Sequence, residues 1–241
     1  GLMSFVKTIQ SPAPVGILML DSRFPRILGD IGNAQSWPFP VDYHIVENAT
    51  PKRIIQNDPR EMLAPFIAGA EALIAKGARG ITTTCGFLSL FQTDLANALS
   101  VPVATSSLMQ TQLVNQLLGP SKRAGILTIC QSALTPAHLA AANVPDDTPI
   151  ATTEGLREFS RAILGNETEL NITLAEQDNI DAALQLSRQP DVGAIILECT
   201  NMAPYAAAIS AATGLPVFSA YHFICWFQSG LMPATFTGDI T

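Results

Sequence analysis

Val15-Gly16-Ile17-Leu18 and Ala124-Gly125-Ile126-Leu127 are one short phrase written twice, and the residues downstream of the two copies are also alike. Cys85 lies 69 residues beyond Gly16, and Cys199 lies 74 residues beyond Gly125. Each cysteine closes an apolar run, Gly80-Ile81-Thr82-Thr83-Thr84 in the first case and Gly193-Ala194-Ile195-Ile196-Leu197-Glu198 in the second. Seventeen residues after each comes a proline, in Val101-Pro102-Val103 and in Leu215-Pro216-Val217. Around this repeat, strand-length apolar runs alternate with stretches of helical period. Strands are expected at 15–20, 41–46, 80–84 and 101–104, then at 124–129, 193–198 and 215–218. Helices are expected at 58–76, 88–99, 107–118, 155–164, 179–186 and 204–212. Strand–helix–strand order implies mainly parallel sheets with helices on their faces. The expected fold is therefore α/β, with two similar three-layer halves related by a pseudo-two-fold axis and a site between them. The expected domains are 1–118 and 119–218, with the aromatic-rich tail 219–241 packing back on the first.

With 241 residues, 48% hydrophobic and 14% charged, the chain can fill real cores and does not have a disordered composition. The net charge is -7, the pI about 4.8 and the mean hydropathy +0.28. No Lys/Arg cluster is present to neutralise a phosphate backbone, so nucleic acid is not the expected partner. Low charge leaves room for a homo-oligomer. No membrane partner is expected, because the apolar run 15–20 is strand-length and too short to span a bilayer. The amino terminus has no charged stretch followed by an apolar core, and Gly1-Leu2 before Met3 reads as a tag remnant. The expected location is cytoplasmic.

The four cysteines, Cys85, Cys130, Cys199 and Cys225, form no CxxC pair and have no histidine at zinc-site spacing. No metal is expected, and without a phosphate-cradling glycine loop no nucleotide cofactor is either. Free thiols are the better reading than disulfides. Ligands of parallel sheets bind beyond the carboxyl ends of the strands, where Cys85 and Cys199 sit, each just before a helix. Helix-start amides favour an anion and lower a thiol pKa. If the halves face each other, the two sulfurs flank one pocket. Two opposed thiols can remove a proton from carbon beside a carboxylate and return one to the other face, without a cofactor.

The hydroxyls of Thr84, Ser106, Ser107, Ser132 and Thr200 are candidate donors to a substrate carboxylate. Asp21 and Ser22, leaving the first strand, are candidates for a substrate amine, and Arg23 or Arg26 for a carboxylate clamp. Cys130, Cys225, His44 and His138 are read as structural.

Thr82-Thr83-Thr84-Cys85-Gly86-Phe87 and Leu197-Glu198-Cys199-Thr200-Asn201-Met202 resemble the paired motifs of the aspartate/glutamate/hydantoin racemase superfamily. Leu20-Asp21-Ser22 and Val101-Pro102-Val103-Ala104-Thr105-Ser106-Ser107 extend the resemblance over nearly the whole chain. It implies cofactor-independent racemisation or epimerisation of an amino acid or derivative, with Cys85 and Cys199 serving opposite faces. It also implies that Gly86, Phe87, Ser107, Thr200 and Asn201 hold the substrate carboxylate, with Asp21 and Ser22 near the amine. Decarboxylases of the superfamily retain only the second cysteine, unlike this chain. Glutamate racemases follow their cysteines with Asn-Thr and Thr-His; here Gly86-Phe87 and Thr200-Asn201 stand instead, which moves the expected substrate toward aspartate- or hydantoin-like carboxylates. The alternatives are a maleate-type cis–trans isomerase with a cysteine nucleophile and a non-catalytic small-carboxylate binding protein.

Overall fold

Gly16 and Gly125 do the same job in the two repeats. A Cβ on Gly16 would lie 3.0 Å from Leu73, and one on Gly125 2.9 Å from Leu186. Bare backbone at these points lets a helix lie flat on the central strand. The computed structural model describes residues 13–239, so the Gly1-Leu2 terminus read as a tag remnant lies outside the described residues.

In chain order the elements are β1 (Val15–Met19), β2 (Val41–Ile45), α1 (Leu63–Ala75), β3 (Gly80–Thr83), α2 (Gln92–Ala98), β4 (Val103–Ala104) and α3 (Thr111–Leu117). The second series is β5 (Arg123–Thr128), α4 (Pro136–Ala141), β6 (Ile150–Thr152), α5 (Phe159–Leu164), α6 (Ile172–Ser187), β7 (Val192–Leu197), α7 (Ala206–Thr213) and β8 (Val217–Phe218), followed by α8 (Ala220–Leu231). Two four-stranded sheets result, in the orders β2-β1-β3-β4 and β6-β5-β7-β8, with every pairing parallel. The fold is α/β, as expected from the repeat.

The register explains the matched prolines. Ile81 N donates to the carbonyl of Pro102 at 3.0 Å, and Ile195 N donates to that of Pro216 at 2.9 Å. Ile81 then pairs with Val103, and Ile195 with Val217. A proline can accept in a ladder but not donate, so β4 and β8 begin only after it and are shorter than the expected strands.

Other expectations shifted as well, with α1 beginning at Leu63, α3 at Thr111 and α5 at Phe159. The helix expected at 88–99 opens as a 3-10 segment, Gly86–Phe91, before α2. α6 begins at Ile172 rather than 179, because Asn171 caps it by accepting from Leu174 N at 3.1 Å. β6 had no strand expectation at all; its three residues are too few to show alternation.

α8 closes over the edge of β3. A Cβ at Gly80 would meet Phe227 at 2.7 Å, and Ala220 and Ile224 join Val15, Ile17, Ile31 and Trp37 in one buried cluster. Among the described residues, no helix is long and apolar enough to cross a membrane.

Candidate active site

The carboxyl ends of β3 and β7 converge on one small cavity, with about 10 Å³ open to the centre of a water molecule. Its wall is mainly apolar: Leu20, Phe24, Pro51, Ile55, Ile129 and Ile163. Its polar lining is Thr84, Cys85, Gly86, Glu198, Cys199 and Asn201. Pro51 and Ile55 arrive through a π-helical turn, Lys52–Gln56. This lining would set the apolar flank of a small ligand beside a few convergent polar groups.

The two halves match atom for atom up to this point. Thr84 N donates to the carbonyl of Leu18 at 3.0 Å, and Glu198 N to that of Leu127 at 2.9 Å. Leu20 N donates to Thr84 Oγ1 at 3.0 Å, and Ile129 N to Glu198 Oε1 at 3.3 Å. Glu198 thus stands in the second half where Thr84 stands in the first. The halves also touch across the site. Thr200 Oγ1 donates to the Thr84 carbonyl at 2.6 Å, and Gly86 lies so close to Glu198 that a Cβ there would collide with its carbonyl and Oε2.

The thiols themselves are not equivalent. Cys199 Sγ donates to Asn201 Oδ1 at 3.5 Å. Asn201 Nδ2 donates to Asp30 Oδ2 at 2.6 Å, and Asp30 Oδ1 accepts from Arg26 Nη1 at 3.0 Å and Gly32 N at 2.8 Å. Only the amide nitrogen can serve a carboxylate, so Asn201 must turn its oxygen to the sulfur. The sulfur is then the donor, and Cys199 is held as a thiol. Cys85 has no side-chain partner of this kind; the amides of Phe87 and Leu88 point at its sulfur, as the Asn201 amide points at that of Cys199.

Those amides act in the expected sense, lowering the Cys85 pKa, but the expected net lowering is not found. Burial pushes the Cys85 thiol well up, and the nearby Glu198 charge adds to it. Cys199 is raised in the same way by burial first and by Glu198 next. Complete removal from water outweighs a few backbone dipoles at the start of a 3-10 segment. Burial also lifts Glu198 to about 7, against the hydrogen bonds from Thr128 and Ile129.

Of the residues expected to bind substrate, Thr84, Gly86 and Asn201 line the cavity with the two cysteines. The others lie outside its lining. Asp21 Oδ2 accepts from Asn48 N at 2.9 Å, and Ser22 Oγ accepts from Arg26 Nη2 at 3.0 Å. Phe87 is fully buried, edge-on to His138 with ring centroids 5.0 Å apart. Ser107 Oγ accepts from Gln110 at 2.8 Å, Thr200 bridges the halves, and Ser132 is on an exposed turn where Glu154 accepts from its backbone N at 2.9 Å. Neither arginine is offered to the cavity: Arg23 is bonded to Asn166, and Arg26 to Asp30 and Ser22. Sequence reasoning missed Asp30, Glu198 and the apolar wall. The one available signal was the acidic residue immediately before Cys199, where the first repeat has Thr84. Among the described residues, no group of three or more His, Cys, Asp or Glu comes together to hold a metal.

No protein-family model matches the chain. It is 29% identical over 219 residues to dimethylsulfoniopropionate lyase 3 of Emiliania huxleyi (strain CCMP1516), covering 86% of this chain and 56% of that one. It is 29% identical over 229 residues to the dimethylsulfoniopropionate lyase of Durusdinium sp. clade D, covering 91% and 75%. The chain thus spans little more than half the length of the first relative. Among solved structures, a mutant of arylmalonate decarboxylase in its sulfate-associated form superposes with a TM-score of 0.63 at 15% identity, over 95% of this chain and 97% of that one. A glutamate racemase from Bacillus anthracis gives 0.62 at 15%, over 91% and 81%. Allantoin racemase from Pseudomonas fluorescens gives 0.61 at 15%, over 93% and 100%. The chain, with its two parallel four-stranded sheets and flanking helices, thus shares the α/β fold of arylmalonate decarboxylase, glutamate racemase and allantoin racemase.

Proposed function

We propose that this chain is a cofactor-free enzyme that removes the proton next to the carboxylate of a small substrate and expels a leaving group from the adjacent carbon, as a lyase of dimethylsulfoniopropionate or a close analogue. The observation that carries this reading is the inequality of the thiols. A racemase needs two thiols that exchange the roles of acid and base. Here Asp30 and Asn201 clamp Cys199 as a hydrogen-bond donor, while Cys85 is not clamped. One-way proton removal needs only one base. The lyase relatives, matched along most of this chain, point the same way.

In this reading Cys85, as thiolate, takes the α-proton. The electron pair of that C–H bond forms the C=C bond of acrylate, and the C–S bond breaks with its pair leaving on dimethyl sulfide. The proton ends on Cys85 and passes to water. Burial by itself opposes the thiolate, whereas a cationic substrate beside it favours the charged form. Cys199, its S–H proton held by Asn201 Oδ1, takes no part in the proton removal.

Incubation with dimethylsulfoniopropionate should release dimethyl sulfide and acrylate in equal amounts. Cys85→Ala should lower the rate by at least about 1,000-fold, because the base is gone. Release of neither product, or release that survives this substitution, would overturn the reading.

The pseudo-symmetric placement of both sulfurs favours a second reading, racemisation of an aspartate- or hydantoin-like carboxylate. It predicts inversion in D₂O with deuterium entering at the α-carbon, and loss of inversion in either Cys→Ala variant.

A further inference from the structure

Pseudo-symmetry gives each half one side-chain oxygen with the same structural task. In the first half the Thr84 hydroxyl accepts from Leu20 N; in the second, Glu198 Oε1 accepts from Ile129 N and from Thr128 Oγ1 at 2.7 Å. A hydroxyl suffices for that task, as Thr84 demonstrates. A carboxylate brings a second oxygen, Oε2, and among the described residues no hydrogen bond reaches it. Glu198 is 1% exposed, lines the cavity, and stands against Gly86, where no Cβ intervenes. No arginine or lysine lines that cavity. A buried carboxylate without a counter-charge is unfavourable, and burial raises Glu198 to about 7, so both of its protonation states are populated near neutral pH.

We infer that Glu198 is the specificity residue of this cavity, its free oxygen pairing with a positively charged group, sulfonium or ammonium, carried by the small carboxylate substrate. This rests on the proposed function only in taking a small carboxylate as the ligand. The apolar wall of Phe24, Ile55, Ile129 and Ile163 receives the alkyl groups of such a cation; the Phe24 ring itself already carries the Arg26 guanidinium, 4.5 Å from its centroid. Without Glu198 the cavity selects for shape alone; with it, a cation is distinguished from a neutral group of the same size.

Binding should also release a proton at neutral pH, as the cation draws Glu198 into its charged form. The titratable groups facing Glu198 are Cys85, from the segment after β3, and its neighbour Cys199; Asp30 is bonded to Asn201, and Arg26 is paired with Asp30 and lies over the Phe24 ring.

The test is calorimetric binding in a Cys85→Ser background, which prevents turnover. The probes are dimethylsulfoniopropionate, β-alanine as the ammonium counterpart, and 4-methylpentanoate as the neutral isostere of the sulfonium. At least one cation should bind about tenfold or more tightly than the isostere, with a heat that depends on the ionisation enthalpy of the buffer. The stronger of the two cations identifies the onium type. Adding Glu198→Gln, which keeps Oε1 as acceptor, should bring cation and isostere within about threefold and abolish the buffer dependence. Glu198→Thr, which copies the first half, should do the same and serves if the glutamine variant does not fold. The inference is overturned if the Cys85→Ser protein shows no preference for either cation, including by binding neither, or if the preference persists in a folded Glu198 variant. Turnover is read separately. A Glu198-dependent cation preference without acrylate formation sinks the lyase reading alone, and acrylate formation with an unchanged preference sinks this one alone.

Discussion

Single residues decide which thiol does what. Asp30 touches no substrate-facing atom of its own; it acts through Asn201 and is a positioning residue. Asp30→Ala should leave Asn201 free to turn, and kcat should fall on the order of 10- to 100-fold, as for loss of a charged hydrogen bond. A merely structural defect would leave the shape of the pH–rate profile alone, whereas loss of the clamp should shift its alkaline limb. Asp30→Asn, whose amide oxygen can still accept from Asn201, should recover part of the rate. Unchanged kinetics in Asp30→Ala would dismiss the relay. None of this was legible in the sequence, because Asp30 and Asn201 are 171 positions apart and sit in an irregular loop and a 3-10 segment. The cysteines were legible for the opposite reason: they end repeated strands, and strand ends carry their position in the local pattern.

At the scale of elements, the repeat exposed the central strands because each is buried on both faces and reads as a continuous apolar run. The edge strands β4, β6 and β8 were blurred by prolines or brevity. A loop and a π-helical turn set much of the cavity wall, so Phe24, Pro51 and Ile55 had no periodic signal to betray them, and the period of α5 could not say that Ile163 faces the cavity. The contact between the segment after β3 and the end of β7 is tight enough to test. Gly86→Ala places a methyl group against the carbonyl and carboxylate of Glu198. Overpacking of that kind should cost about 1–3 kcal/mol, read as a lower midpoint in urea. It should also abolish turnover by displacing Cys85 and Glu198 together. A variant with parental stability and rate would mean that the two segments are free to part.

For the whole molecule, two buried groups shape stability with opposite sign. His138 is lowered from 6.5 to about 4 by burial, so the folded state binds fewer protons than the unfolded chain. Its contribution is complete above about 6.5 and is lost as pH falls through 4. Glu198 is raised from 4.5 to about 7, so the folded state binds more protons; its contribution is complete below 4.5 and is lost as pH rises through 7. Glu198→Gln cannot lose that contribution. Its melting temperature relative to the parent should therefore be higher at about pH 8 than at about pH 4.5. A difference that does not vary with pH would contradict a buried, elevated carboxyl. The sequence could show that Glu198 ends a strand, but not that the opposite half shuts it off from water.

The hydrogen bond from Thr200 to the Thr84 carbonyl has a consequence for how such a protein is tuned. Each sulfur is bolted to its own sheet, so their separation is an alignment tolerance between two rigid bodies rather than a property of either side chain. A substitution far from the cavity that slides one sheet along the other by a fraction of a bond length alters reach at the reacting carbon while leaving both thiols intact. Selection acting on the seam, at Thr84, Gly86 and Thr200, can thus retune the chemistry without replacing a single reacting group.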